Sequence, residues 1–327
     1  MFNALVLTQD DAQHTIATIK TMDESHLPTH GVLIDVEYSS LNYKDGLAIT
    51  GKGKIVRHFP MIPGIDLAGR VIRSADERYQ AGDSVVLTGW GVGEQHWGGM
   101  AQRARVHANW LVPMPTGLDS RKAMMIGTAG FTAMLCVQAL LDAGIKPEHG
   151  EIIVTGASGG VGSVAITLLA QLGYQVAAVT GRVEQNGDLL TQLGASRILD
   201  RSEFATPSRP LETQQWAGAI DTVGGNTLAK VLAQMNYNGV VAACGLAGGF
   251  DLPTSVMPFI LRNVRLQGVD SVSCPINKRI SAWNSLAHLL PDHYFQQACH
   301  EIPLQEVPRY AQAITQGEVT GRVVIKL

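Results

Sequence analysis

Cysteine is scarce and scattered in this chain: Cys136, Cys244, Cys274 and Cys299, with no CxxC pair. That spacing excludes a zinc knuckle and a redox dithiol, and so few cysteines in 327 residues fit a reducing compartment better than a disulfide framework. An excess of one charge is also lacking. The 25 Lys and Arg stand against 28 Asp and Glu, a net charge of −3, which provides no basic surface for nucleic acid. Apolar runs such as residues 133–141 are interrupted or too short to span a bilayer, and MFNALVLTQDDAQ lacks the basic start and apolar core of a signal peptide. The expectation is a cytoplasmic chain with no membrane and no nucleic-acid partner. No repeat or low-complexity segment is visible. What is abundant is glycine, at 35 residues, often paired or clustered, which suits tight turns and close backbone approaches.

The length predicts one large or two medium domains. Up to about residue 120 the chain reads as β-rich. Residues 2–8, 32–38, 67–73, 84–87 and 107–114 are short apolar or alternating runs, punctuated by turns such as Pro63-Gly64 and Gly82-Asp83. Residues 121–143 then carry helix-spaced apolar positions, with breaks expected at Gly127 and Gly130. After that, strands (151–155, 175–180, 196–199, 216–221, 239–244, 263–269) alternate with helices (162–172, 188–193, 227–235). Such alternation means βαβ units, an α/β fold with a doubly wound parallel sheet. The domain expectation is 1–122 with 276–327, and a Rossmann domain over 123–275.

The most specific motif is EIIVTGASGGVGS at 151–163. An apolar run enters Gly156-x-x-Gly159-x-x-Gly162 and a helix follows, as in a dinucleotide-binding turn. One glycine makes the turn, one admits the pyrophosphate, one lets helix pack on strand, and the free N–H groups of the helix bind phosphate. The same letters contain Gly156-x-Ser158-x-Gly160, a hydrolase nucleophile elbow, for which Asp221 with His288, His293 or His300 would complete a triad. The elbow leaves Gly162 unexplained and needs earlier βα units that a β-rich start does not supply. The second strand ends in Thr180-Gly181-Arg182, where an NAD site would carry an acid for the ribose 2′-hydroxyl. A hydroxyl and a guanidinium there suit the 2′-phosphate of NADPH, with Arg201 as a second cation; the plain alternative is a surface arginine.

The segment PGIDLAGRV at 63–71 resembles the G-H-E-x-x-G-x-V stretch of zinc alcohol dehydrogenases. Ile65 stands at the metal-ligand position and Asp66 at the acidic one, and no four-cysteine structural loop is present. The pairs His26/His30, His288/His293 and Cys299/His300 have no further ligands nearby, so no metal is expected. Together these features look like a zinc-free medium-chain dehydrogenase/reductase. Without a Lewis acid, hydrogen bonds must hold any developing oxyanion.

Several runs are closer still: SSLNYKD (39–45), AITGKGK (48–54), FPMIPGID (59–66), LTGWGVGE (87–94), MIGTAGFTAMLC (125–136), AACGLAGG (242–249) and MPFILRNVRLQGVDS (257–271). They resemble the bacterial acrylyl-CoA reductase family from residue 2 to the C-terminus. The resemblance implies a GroES-like catalytic domain beside the Rossmann domain. It also implies NADPH-dependent reduction of acryloyl-CoA to propanoyl-CoA, an acyl-CoA partner, and a homodimer. It further implies cofactor contacts at Tyr43, Ser158, Gly159, Gly160, Val161, Thr180, Gly181, Arg182, Arg201, Leu246, Ile260 and Ser271. The 2′-phosphate end of that set agrees with the glycine turn. A quinone oxidoreductase is the alternative, and a non-catalytic NADPH-binding sensor the third.

The chemistry then points to Asn42 and Tyr43 as the catalytic pair. Hydride goes to the β-carbon of the thioester, charge moves to the thioester oxygen, and a proton reaches the α-carbon from Tyr43 or water. Tyr43 stands equally for a purely positional role on the nicotinamide. Asn42 reads as an oriented donor. Asp45 and Asp66 read as loop-holding groups, by capping or by pairing with Lys44. Lys52, Lys54 and Arg57 are either plain solvation or contacts for the CoA phosphates. Residues 222–224 and 245–246, after the fourth and fifth strands, would border the nicotinamide, and the 264–269 strand offers an edge to a second copy.

Overall fold

The computed structural model describes all 327 residues, Met1 to Leu327. In chain order the elements are β1 (Phe2–Gln9), β2 (Thr15–Met22), β3 (Val32–Leu41), α1 (Tyr43–Thr50), β4 (Asp66–Ser74), β5 (Ser84–Thr88), β6 (Arg103–Val106) and β7 (Val112–Pro113). Then come α2 (Ser120–Asp142), β8 (Ile152–Val154), α3 (Gly160–Gln171), β9 (Val176–Thr180), α4 (Val183–Gln192), β10 (Arg197–Asp200) and β11 (Trp216–Asp221). They continue with α5 (Gly225–Ala233), β12 (Met235–Ala243), α6 (Met257–Arg262) and β13 (Arg265–Gly268). The last are α7 (Ile276–Leu289), α8 (Asp292–Gln297), β14 (Cys299–Pro303), α9 (Val307–Thr315) and β15 (Arg322–Lys326). Two compact units result. One is Met1–Thr128 with Ser271–His288 and Cys299–Leu327; the other is Ala129–Asp270 with Leu289–Ala298.

The first unit is built on a seven-stranded sheet, β14-β15-β3-β4-β5-β7, with β6 also paired to β3. The C-terminal strand β15 lies antiparallel to β3, pairing Val323 with Leu41, Val324 with Ser40 and Ile325 with Ser39. That register brings Arg322, the residue that opens β15, to the end of β3 where Asn42 follows. Leu5, Leu41, Ile49, Met61, Val307, Val323 and Ile325 form a buried cluster beneath α1. α1 lies close on α9, and Gly46 is the reason. A Cβ there would sit 2.6 Å from Ile314 Cγ2.

The second unit carries six parallel strands in the order β10-β9-β8-β11-β12-β13. The order reverses between β8 and β11, the switch point where open α/β sheets bind nucleotides at their carboxyl ends. Residues of β8, β9 and β11 are all buried, as unbroken apolar strands covered on both faces should be.

The structure departs from the sequence-based expectations at several points. Residues 107–114 form a short 3-10 turn, Ala108–Trp110, and then the two-residue strand β7. Only Gly127 breaks α2, at φ 52° and ψ −161°; Gly130 continues the helix. α2 is long and apolar enough by composition to cross a membrane, whereas counting uninterrupted apolar runs made such a span too short. Its most apolar window is 78% buried inside the fold, which makes it a core helix. The sixth parallel strand shrinks to Arg265–Gly268, at the exposed edge.

Candidate active site

Asn42 is the N-cap of α1, and Tyr43 is the helix's first residue, 45% exposed. Asp45 closes the capping box. Its carboxyl accepts from the Asn42 backbone N–H (2.9 Å), the Asn42 side-chain amide (3.3 Å) and the Ile65 N–H (3.0 Å). The sequence reading made Asn42 an oriented donor. The structure turns that donor inward: Nδ2 donates to Asp66 Oδ2 at 2.8 Å, and Oδ1 accepts from Arg322 Nη1 at 3.0 Å. Both ends of the amide are engaged inside the protein. Asp66 is fully buried and also accepts from the Ser40 hydroxyl and from the Thr128 backbone and hydroxyl. Lys44 pairs with Glu94 at 2.9 Å and not with either aspartate, so only the capping half of that expectation describes Asp45.

Burial, and then the neighbouring Asp66, push the Asp45 carboxyl up to about 7. A carboxyl raised in the folded state binds a proton there that the unfolded chain has already released. Its stabilising contribution is complete below about pH 4 and is lost as pH rises to about 7, an effect on the order of 4 kcal/mol. Asp45→Asn has no proton to lose. Urea unfolding at pH 5 and pH 8 should therefore show the wild type losing stability relative to Asp45→Asn as pH rises. A constant difference between the two proteins would contradict this.

In the second unit β8 runs into a turn and then α3, with Gly159 as N-cap. Two glycines of the turn have a steric reason. A Cβ on Gly156 (φ +60°) would lie 2.1 Å from Thr222 Oγ1, and one on Gly162 would lie 2.4 Å from the Gly156 carbonyl. The free N–H groups at Gly160 and Val161 open the helix toward the strand ends, the geometry that receives a phosphate. Ser158 Oγ lies 3.2 Å from Thr180 Oγ1, and the Arg182 N–H donates to that same Thr180 hydroxyl at 3.2 Å. The Arg201 guanidinium lies over Gly181, with Cζ 2.9 Å from where a Cβ would be. Ser158, Thr180, Gly181, the Arg182 backbone and the Arg201 guanidinium therefore come together at the ends of β8, β9 and β10. Two hydroxyls, a guanidinium and the neighbouring Arg182 are a donor set for a phosphate monoester beside the pyrophosphate turn. The residues present fit NADPH.

A family model described as zinc-binding dehydrogenase matches residues 160–289, and one for the alcohol dehydrogenase GroES-like domain matches residues 28–116. The chain is 64% identical to the probable acrylyl-CoA reductase of Escherichia coli K12, over 99% of each chain. It is 54% identical to the acrylyl-CoA reductase of Ruegeria pomeroyi, again over 99% of each. It belongs to the acrylyl-CoA reductase family. An oxidoreductase of Salmonella enterica, solved in complex with NADP, shares 64% identity, 99% of both chains and a TM-score of 0.97. The two units are thus the GroES-like and Rossmann domains of a medium-chain dehydrogenase/reductase.

Zinc enzymes of this superfamily would place a histidine ligand where this acrylyl-CoA reductase family member has Ile65, a buried hydrocarbon side chain. No group of three or more His, Cys, Asp or Glu side chains is disposed to hold a metal ion. The residues do not fit a metal. The hydrolase alternative also fails on geometry. Ser158 faces a threonine hydroxyl, and Asp221 accepts from Thr155 Oγ1 (2.6 Å) and the Gly224 N–H (2.8 Å), with no imidazole in either contact.

The remaining positions are more dispersed. The loops after β11 and β12 meet backbone to backbone: a Cβ on Gly245 would lie 2.3 Å from the Thr222 carbonyl. Leu246, 65% exposed, lines a cavity of about 360 Å³ with Cys244, Gly245 and Val269 at the carboxyl ends of β12 and β13. Ile260 lies on the exposed face of α6. Ser271 belongs to the first unit, where its carbonyl accepts from Arg279. Arg322 was missed by the sequence reading. The available signal was an arginine opening an apolar strand, RVVIK, where a charge needs a buried partner.

Proposed function

We propose that this protein reduces the C=C bond of acryloyl-CoA to propanoyl-CoA with NADPH and without a metal. The observation that carries this reading is the pairing of a 2′-phosphate donor set with a metal-ligand position filled by isoleucine. NADPH, when bound, supplies the hydride for the β-carbon of the thioester. The N–H groups of the α3 turn hold its pyrophosphate, and Thr180, Arg182 and Arg201 hold its 2′-phosphate. Leu246 and Ile260 give it apolar contact, and Tyr43 and Ser271 are further contacts that the family resemblance implies. The chain's own part in the chemistry is proton delivery. Tyr43 donates to the α-carbon as charge leaves the thioester oxygen. Asn42 holds the turn from which Tyr43 projects.

Purified protein given NADPH and acryloyl-CoA should produce propanoyl-CoA. Tight NADPH binding with no turnover on any enoyl thioester or quinone would replace the enzyme with a sensor.

We further propose a soluble, cytoplasmic homodimer. β13 is an open edge of the six-stranded sheet, and Tyr237, Phe250, Val256, Ile260, Leu261 and Leu266 are large apolar side chains left exposed on the same unit. An exposed strand edge beside apolar surface is a ready site for pairing with a second copy. Sedimentation should give twice the 35.0 kDa chain mass, and Leu266→Glu should shift it toward one chain. A monomeric wild type would overturn this.

A further inference from the structure

Three separate stretches of the GroES-like domain converge on one buried guanidinium. Arg322, 3% exposed, donates from Nη1 to Asn42 Oδ1 (3.0 Å), from Nη2 to Ser40 Oγ (2.9 Å) and from Nε to the Met125 carbonyl (3.2 Å). Its Nη2 lies 3.8 Å from Asp66 Oδ2. Asp66 in turn bonds Asn42, Ser40 and Thr128. The backbone has been shaped to admit this group. Gly127 leaves the helical conformation at this point, and a Cβ on it would lie 2.4 Å from Arg322 Nη2 and 2.6 Å from Asp66 Oδ2. A buried cation is costly unless it is paired and hydrogen-bonded, and here three carbonyl or hydroxyl acceptors and a nearby carboxyl surround it.

Surface exposure differs along this network. Asn42, Asp45, Asp66 and Arg322 are buried, Thr128 is half-buried, and Tyr43, the chain neighbour of Asn42, is exposed. The network therefore reaches a strongly exposed side chain at the first turn of α1. We propose that Arg322 is a positioning residue for catalysis, acting through the Asn42 side-chain carbonyl to fix the turn that presents Tyr43. The inference rests on the proposed role of Asn42 and Tyr43. It adds that the C-terminal strand, 280 residues away in sequence, sets their orientation.

A planar fork that serves three acceptors at once is not replaced by a lysine ammonium, which can satisfy the charge but not the geometry. Small displacements of a catalytic group cost large factors in rate. Arg322→Lys and Arg322→Met should lower kcat about 100-fold, while the NADPH Kd, set mainly by the glycine turn and the 2′-phosphate cluster of the Rossmann domain, stays within about twofold. Added guanidinium ion should restore much of the rate in Arg322→Ala. The double variant Asn42→Ala/Arg322→Met should be no slower than Asn42→Ala alone, because both act through one contact. Where Arg322→Met does not fold, Arg322→Lys and the rescued Arg322→Ala carry the same comparison.

A folded Arg322→Lys with wild-type kcat would overturn the inference. So would losses that multiply in the double variant. If Asn42→Ala is slow while the Arg322 variants are fast, only this inference falls. If Asn42→Ala and Tyr43→Phe both match the wild type, the catalytic reading itself falls.

Discussion

Arg182→Ala should weaken NADPH binding about 10- to 100-fold and leave NADH binding within about twofold. The magnitude follows from losing a charge-assisted contact to a phosphate, about 1.5–3 kcal/mol. The selectivity follows from where the residue stands. Arg182 stands two residues after Thr180, its backbone N–H donating to the Thr180 hydroxyl, and Arg201 lies over Gly181 from the next strand. This cluster faces the end of β9, where an NAD site would carry an acid. NADH has no 2′-phosphate for these groups to meet. Fluorescence titration of both cofactors into wild type and variant measures the ratio. Equal losses for NADPH and NADH would move Arg182 from the 2′-phosphate to general binding.

Tyr43→Phe should lower kcat about 100-fold, the lower end for loss of a general acid, with folding and NADPH affinity little changed. The hydroxyl is the only atom removed, and the ring still begins α1 over the same capping box. The two roles left open by the sequence separate cleanly here. A proton donor loses rate, whereas a residue that only packs against the nicotinamide keeps it. An unchanged kcat would assign the proton to water and leave Tyr43 a positional part.

The two halves of this site differed in how far the sequence exposed them. The cofactor half is local. Gly156, Gly159 and Gly162 fall within one turn, and Thr180 to Arg182 within the end of one strand, so strand–turn–helix punctuation was enough to place them. The catalytic half is not local. The spacing of residues 39–45 does not show what they bond, because their partners lie on β4, on the Gly127 break in α2 and on β15. Capping gave Asp45 a role that sequence could state, since the N-cap and N3 positions are three residues apart. Arg322 had no such neighbour, and only the β3–β15 register brings it to Asn42. The glycine in α2 shows the same limit. Gly127 and Gly130 look alike in sequence, but only the former faces a buried guanidinium that leaves no room for a Cβ.

The absence of a metal ligand also acquired a physical partner. Ile65 removes the coordination site, and its backbone N–H still braces Asp45, so the segment that carries a ligand in zinc enzymes here supports the capping box. On the proposed reading, proton delivery and hydrogen bonding fall to the Asn42–Tyr43 turn, with Arg322 and Asp66 buried next to it.

The most direct test of this view is a comparison of kcat/KM with NADPH for acryloyl-CoA and for a simple benzoquinone, on the same preparation. Acryloyl-CoA should be preferred by a wide margin. A higher kcat/KM for the quinone would contradict the assignment and make the protein an NADPH:quinone oxidoreductase.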